Sequence, residues 1–307
     1  MVISMEKRLR ATNLYRYATS ELSQDAFICW LLSHLTEEGW EEDPQIRECA
    51  ICFLNCIFKA AHKEMYRVYW RAEIKKQYKN IDVLVVVNDY HIIIEDKTFT
   101  NSHNEQISRY KKAILDEGVP EENILCVFYK IEDQPKPEEN VDYEFTRKEL
   151  LDLFEPFKDI IRNPIFTDYV EYLEWMEWKR NAFTKLPIGQ WDNDVYTGFF
   201  KHLTQTLLKD AHCSWGYVPN PSGGFMGLWW GDILNSDELN TIGLTESLAD
   251  ELYIQIENDI ITIKYTVDKK KSPDMGAVGE IRWKLYEYFS SQIAIASCNS
   301  FQKSNKR

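Results

Sequence analysis

The spacing of apolar and polar residues at the start of the chain predicts two helices. The apolar run FICWLLSHL follows Glu21, and Thr19 or Ser20 precedes it as a capping residue, so a helix is expected there. A second helix is predicted from about Pro44 to residue 64, because proline is well tolerated in a first helical turn. After this helix the period of the pattern changes.

Strands are predicted next, because β-branched and aromatic residues dominate the segments at 66–74, 80–87 and 91–99. A helix is expected at about 102–116. The apolar run NILCVFYKI at 123–131 has no polar alternation, which is typical of a strand covered on both faces. We therefore predict an α/β fold in which helices flank a mixed central β-sheet.

The segment IEDQPKPEEN at 131–140 separates this pattern from the rest of the chain. Its two prolines and four acids predict a solvated loop and a change of architecture. The elements expected after it are helices near 146–161, 164–186 and 192–211, strands near 224–230, 252–258 and 260–267, and a helix at about 277–294. We predict a core at 1–135, followed at 136–307 by a helical segment and an α+β extension. The extension either packs on the core as one domain or stands apart.

The composition is that of an ordinary soluble protein, with 44% hydrophobic and 28% charged residues. No apolar run approaches the roughly 18 residues needed to cross a bilayer. The basic N-terminus lacks the apolar core of a secretory signal. Seven cysteines without a regular framework do not indicate a disulfide scaffold. We expect a cytoplasmic protein that does not enter a membrane.

Three of the cysteines, Cys49, Cys52 and Cys56, are spaced i, i+3, i+7. This spacing fits a metal cluster, but it also fits one apolar stripe of a helix, where free cysteine is commonly buried. Because no matching pair of cysteines occurs downstream, the core stripe is the favoured interpretation.

The segment NIDVLVVVNDYHIIIEDKT contains a hairpin whose turn sets the positions of its charges. If Asn88-Asp89 form a two-residue turn, Asp82 lies directly opposite Glu95. Lys97 is two residues beyond Glu95 and shares its face of the sheet, whereas Asp96 points to the other face. A three-residue loop would instead pair Asp82 with Asp96 and separate these groups.

Two carboxylates and a lysine at the end of an apolar strand favour a chemical role over a structural ion pair. Burying three charges is costly without strong compensation. Hard divalent cations such as Mg²⁺ prefer oxygen ligands and are commonly held by one or two carboxylates, here Asp82 and Glu95. The peptide carbonyl of Asp96 offers a further oxygen. Lys97 is placed to orient a nucleophile and to offset charge that develops on a phosphoryl group.

The arrangement Asp82, Glu95-Asp96-Lys97 resembles the core motif of the PD-(D/E)xK nuclease superfamily. Ile81 stands where the name has proline, and Asp96 stands where an apolar residue is common. The resemblance covers about residues 14–131 and implies a restriction-endonuclease-like core.

Flanking segments extend this resemblance. Gln106 and Tyr110 are similar to the Q-x-x-x-Y motif of the exonuclease-like branch of the superfamily, and Glu21 matches an acid that those proteins carry upstream. The segment RYATSELSQDAFICWLLS, together with GGFMGLWW and LYIQIEN, resembles an uncharacterised bacterial family within the superfamily.

The resemblance implies a role for each of these residues. Asp82 and Glu95 would bind Mg²⁺, which Mn²⁺ could replace, and Lys97 would assist the attacking water. Glu21 would contribute to a metal, directly or through water. Asp25, one turn later, is equally a candidate for this acidic site and a solvated acid.

Three residues of the following helix complete the predicted site. Gln106 and Tyr110, one turn apart, would position the substrate backbone or brace Lys97; alternatively, they simply pack the helix on the sheet. Arg109 would contact a phosphate or pair with Glu105.

The net charge of -13 is unfavourable for nucleic-acid binding, although residues 66–112 carry nine Lys or Arg against six Asp or Glu. We expect Mg²⁺-dependent cleavage of DNA phosphodiester bonds, and the resemblance suggests defence against foreign DNA. One alternative is a module of the same fold that binds nucleic acid or a partner without turnover, against which the intact Asp82, Glu95 and Lys97 set argues. RNA cleavage is the other alternative, and the sequence does not separate it from DNA cleavage.

Overall fold

The computed structural model describes residues 8–65, 72–96, 106–135, 141–221, 223–244, 252–266 and 275–295. The chain divides into two compact units, Met1–Leu186 and Pro187–Arg307. The predicted change of architecture after residue 135 falls inside the first unit, so the two helices that follow the acidic segment belong to the same unit as the sheet.

Five strands form the sheet of the first unit: β1 (Glu73–Tyr78), β2 (Ile81–Val87), β3 (Tyr90–Asp96), β4 (Ile124–Lys130) and β5 (Tyr143–Thr146). They lie side by side in chain order. The β1–β2 and β2–β3 pairs are antiparallel, and the β3–β4 and β4–β5 pairs are parallel. The sheet is therefore mixed, and the predicted α/β class is confirmed.

Helices cover both faces of this sheet: α1 (Glu21–Ser33), α2 (Pro44–Ala60), α3 (Gln106–Leu115), α4 (Arg147–Phe154) and α5 (Pro164–Asn181). One core joins α1, α2, α4 and α5 to residues such as Val85 and Val127. On the other face, α3 packs through Ile107 and Ile114 against Ile93. Every residue of β4 is buried, as its unbroken apolar run predicts.

The cysteine stripe of α2 belongs to the core. Cys49 is fully buried in the cluster that also contains Val85, and Cys56 packs against that cluster. Burial raises the pKa of the Cys49 thiol well above its ordinary value. The interpretation of the stripe as a packing feature is confirmed for these two residues.

The β2–β3 hairpin has the predicted register. Its facing pairs run from Val83 opposite Ile94 to Val87 opposite Tyr90, which leaves Asn88-Asp89 as a two-residue turn. Asn88 has a φ of 52°, which the mirror-image hairpin turns require at their first central position. The residue numbers of each facing pair sum to 177, so the same register continued by one position brings Asp82 opposite Glu95.

Strand β1 differs from the prediction, which ended this strand at residue 74. The segment EIKKQY shows no apolar alternation because β1 is an edge strand, where exposed lysines protect the open edge. The ladder pairs Lys76 with Val83 and Tyr78 with Ile81 but omits Gln77, which has a φ of 54°. Residues 66–71, where the strand was also predicted, lie outside the described residues.

The prediction of a solvated loop at 131–140 is wrong for its first residues. Ile131 is buried in the core, and the Asp133 side chain is only 6% exposed. Its buried charge is compensated by ion pairs with Arg147 and Arg180. Strand β5 was also missed. It ends at Thr146, which caps α4 in a reciprocal pair of hydrogen bonds with Glu149.

The second unit contains an antiparallel sheet of β6 (Cys213–Val218), β7 (Phe225–Trp230), β8 (Leu252–Glu257) and β9 (Ile260–Tyr265) in that order. Its helices are α6 (Asn193–Gln205), α7 (Ser236–Thr241) and α8 (Met275–Ile295). Phe200 packs against Trp215, and Leu285 packs against Leu252. The predicted two-residue turn at Asn258-Asp259 is present, whereas β6 and α7 were not predicted. Among the described helices, none combines the length and apolarity needed to span a bilayer.

Candidate active site

Asp82 is held in one orientation by two donors. It is the second residue of β2 and is half-buried. Its Oδ2 accepts a hydrogen bond from the backbone N–H of Asp96 at 3.1 Å, and its Oδ1 accepts one from Nε2 of Gln77 at 3.2 Å. Both carboxylate oxygens are therefore fixed, in the way that outer hydrogen bonds fix the ligands of a metal site.

Glu95 is fully buried, and a residue of α3 binds it. Its Oε1 accepts a hydrogen bond from Nε2 of Gln106 at 2.6 Å, and the same amide nitrogen donates to the Tyr110 hydroxyl at 2.7 Å. Gln106 and Tyr110 lie one turn apart, so a single helix face presents both. The two residues of the predicted Q-x-x-x-Y pair thus contact each other, and Gln106 contacts the predicted acid.

Asp25, which the sequence left undecided, lies in the same cluster as Asp82. It is 1% exposed, its Oδ2 accepts from Nε2 of Gln77 at 3.4 Å, and its buried Oδ1 has no hydrogen-bond partner among the described residues. Burial raises the pKa of Asp25 to about 6, the charges of Asp82 and Glu21 also raise it, and Lys76 and Gln77 oppose the shift. Gln77 therefore bridges two acids from different elements.

Asp96 turns its side chain away from Glu95, into the core between the sheet and α5. Burial raises the pKa values of Tyr129 and Tyr169 well above their ordinary range, and the charge of Asp96 adds to both shifts. The hydroxyls of these tyrosines lie 2.6 Å apart, and Tyr169 donates to Oε1 of Gln24 at 2.6 Å. This chain of hydrogen bonds ties β4 and α5 to the turn of α1 that carries Asp25.

The remaining predicted residues lie at the margins of this cluster or outside it. Glu21 is the first residue of α1, one turn before Asp25. Arg109 is exposed on α3. Lys97 and Glu105 lie outside the described residues, so their predicted positions stay predictions.

Gln77 was not predicted from the sequence. The signal for it was a polar residue that faces Asp82 across the β1–β2 hairpin.

The donor chemistry of the cluster fits a hard divalent cation. Within the described part of the chain, no group of three or more His, Cys, Asp or Glu is arranged to enclose a metal. One or two carboxylates suffice for Mg²⁺, however, because water and substrate supply the remaining oxygens. Asp82 and Glu95 are such carboxylates. The buried Asp25, which Asp82 repels and whose Oδ1 has no described partner, is a group that a nearby cation would stabilise.

The mixed sheet with its flanking helices and an acidic cluster at the end of its central hairpin defines a restriction-endonuclease-like protein. The family model of the PD-(D/E)XK nuclease superfamily matches residues 13–192, more than half of the chain, and the chain belongs to that superfamily. The match extends past residue 131, through α4 and α5. No curated protein and no solved structure matches the chain.

Removal of the buried charge at position 25 is expected to stabilise the metal-free protein. Asp25→Asn should raise the free energy of unfolding at pH 8 by about 1 kcal/mol, or the Tm by roughly 2–4 °C. Because the folded-state pKa, about 6, exceeds the ordinary value of an aspartate, the cost of the buried charge builds up as the pH rises from about 4 to about 6. The gain should therefore shrink by roughly half at pH 5 and disappear only below about pH 4.

Thermal unfolding in EDTA at the two pH values measures this effect. Asp159→Asn, which changes an exposed acid on a turn, is the control and should match the wild type. An Asp25→Asn protein that is less stable than the wild type at pH 8 would contradict the account of Asp25 as a repelled buried charge.

Proposed function

We propose that this protein is a Mg²⁺-dependent nuclease that hydrolyses DNA phosphodiester bonds, with Mn²⁺ as a substitute. One observation carries the proposal: Asp82 and Glu95 lie near the open end of one hairpin, and each carboxylate is oriented by hydrogen bonds. Membership of a nuclease superfamily supports the same reaction. A binding module without turnover has no need of acids held in this way.

In this proposal, each residue has a defined task. Asp82 and Glu95 hold the cation, and Glu21 and the peptide carbonyl of Asp96 contribute to it. Bound Mg²⁺ would supply positive charge to the phosphoryl oxygens. Lys97 orients the attacking water and stabilises developing negative charge.

The exposed and partly exposed residues of α3 face the substrate. Gln106 positions the substrate backbone while it orients Glu95. Tyr110 braces Gln106, and Arg109 contacts a phosphate. The choice of DNA and a role in defence against foreign DNA rest on the resemblance to this superfamily, whereas the cytoplasmic setting rests on the composition.

The purified full chain should cleave DNA with Mg²⁺ or Mn²⁺ and should lose this activity in EDTA. Linear DNA, closed-circular DNA and RNA are tested in parallel, so that the assay separates the substrates and shows whether free ends are required. Lys97→Ala should lower the rate by about 10²–10³-fold, since it removes one charge that stabilises the transition state.

Two results would contradict the proposal. Cleavage by Lys97→Ala at the wild-type rate would rule out the proposed role of Lys97. Cleavage that persists in EDTA would rule out a requirement for a metal ion. Degradation of RNA alone would replace DNA as the substrate and leave the site unchanged.

A further inference from the structure

Gln77 adopts a conformation that the rest of its strand does not share. Its neighbours Lys76 and Tyr78 pair with β2, but Gln77 is omitted from the ladder and has a φ of 54°. This left-handed region is disfavoured for residues that carry a Cβ, and such residues concentrate at functional sites. The hairpin turn does not require it, because Lys79 and Asn80 already supply the positive φ values of that turn.

In this conformation, the side chain of Gln77 contacts two carboxylates. Its Nε2 donates to Oδ1 of Asp82 at 3.2 Å and to Oδ2 of Asp25 at 3.4 Å. Because both partners are carboxylates, only the amide nitrogen and not the amide oxygen can face them. One neutral group thus holds a carboxylate of the sheet beside a carboxylate of α1.

We propose that Gln77 is a positioning residue of the metal site, which orients Asp82 and holds the Asp25 carboxylate beside it. The inference rests on the proposed function for its metal. Asp82 has each oxygen fixed by one donor, whereas the buried Oδ1 of Asp25 has no partner in the described part of the chain. That oxygen is the one that Asp25 presents to a cation.

Mn²⁺ binding by the full chain, measured by calorimetry without nucleic acid, tests this role. Gln77→Gly accepts the positive φ without strain and removes the amide, and Gln77→Met keeps the length of the side chain without a donor. Both variants should bind Mn²⁺ about 10–100-fold more weakly, as for other losses of hydrogen bonds that orient metal ligands. Gln77→Met covers the case in which Gln77→Gly does not fold.

Asn80→Gly is the matched control. Asn80 has a φ of 68° in the same hairpin, and its side chain makes no hydrogen bond with the described residues, so this variant should bind Mn²⁺ as the wild type does. If the backbone conformation alone were needed at position 77, Gln77→Gly would also equal the wild type, and the proposal would be overturned.

The outcomes separate this proposal from the nuclease assignment. Wild-type binding of Mn²⁺ by both Gln77 variants, together with intact cleavage, overturns only the role of Gln77. Weakened binding in the variants of a protein that cleaves no nucleic acid overturns only the nuclease. A wild-type chain that does not bind Mn²⁺ overturns both.

Discussion

Replacing Asp82 with Asn is expected to lower the rate of DNA cleavage by at least about 10³-fold, equivalent to roughly 4 kcal/mol of transition-state stabilisation. The substitution keeps the shape of the side chain but removes its charge. It also leaves one acceptor oxygen for two donors, so that either the Asp96 N–H or the Gln77 amide faces an NH₂ group. Cleavage rate and Mn²⁺ affinity should therefore fall together.

The lower cleavage rate of Asp82→Asn should come from the altered active site and not from unfolding of the protein. Asp82 is half-buried, and removal of its charge relieves a repulsion that adds to the larger effect of burial in raising the pKa of Asp25, so the Tm in EDTA should stay within a few degrees of the wild type. Asp89→Asn is the control, because it makes the same change in the same hairpin at an exposed turn position. If Asp82→Asn retained the rate within about tenfold, Asp82 would not be a metal ligand.

The part of the site that could be predicted is the part that local chemistry determines. Asn88 favours the turn, the turn fixes the register, and the register places Asp82 opposite Glu95. Gln106 and Tyr110 come from the resemblance to the Q-x-x-x-Y motif, and helical spacing places them on one face of α3. None of these inferences needs contacts between distant segments, apart from the placing of α3 over β3.

Gln77 and Asp25 could not be assigned in this way. Their contact joins residues that are far apart in sequence, and it depends on where α1 packs and on a left-handed conformation that no glycine signals. The edge strands β1, β5 and β6, of which β5 is also short, were missed or misplaced for a related reason. Exposure at a sheet edge and short length leave little apolar alternation to detect.

The acidic residues directly after β4 were wrongly predicted to be solvated, because a sequence does not show which acids pair with buried arginines. Arg147 is only 4% exposed. It donates to the Ile131 carbonyl at 2.6 Å and pairs with Asp133 at 2.7 Å and Glu177 at 2.9 Å. Arg180 pairs with Glu132 and with Asp133. The network fastens the end of β4 to α4 and α5. That end lies beside the acids of the site, because Tyr129 of β4 pairs with Asp96.

Loss of this network is expected to produce the largest change in stability. Arg147→Met should lower the free energy of unfolding by about 3–5 kcal/mol, because it removes the donor to the buried Ile131 carbonyl and one of the two arginine partners of the buried Asp133 carboxylate. For a unit of this size, the Tm should fall by roughly 6–20 °C. Arg147→Lys should recover part of the loss, since a single ammonium keeps the charge but not the three-partner geometry of the guanidinium.

Lys148→Met provides the contrast within the same helical turn. Lys148 also forms an ion pair, with Asp152 at 2.7 Å, but its side chain is 76% exposed. Water and side-chain freedom reduce such a pair to less than about 1 kcal/mol, so its removal should scarcely move the Tm. Thermal unfolding of the three variants in one buffer therefore shows whether the loss of Tm depends on the burial of the ion pair or only on the loss of any ion pair. Equal losses for Arg147→Met and Lys148→Met would contradict the view that buried arginine–carboxylate pairs hold this end of the sheet together.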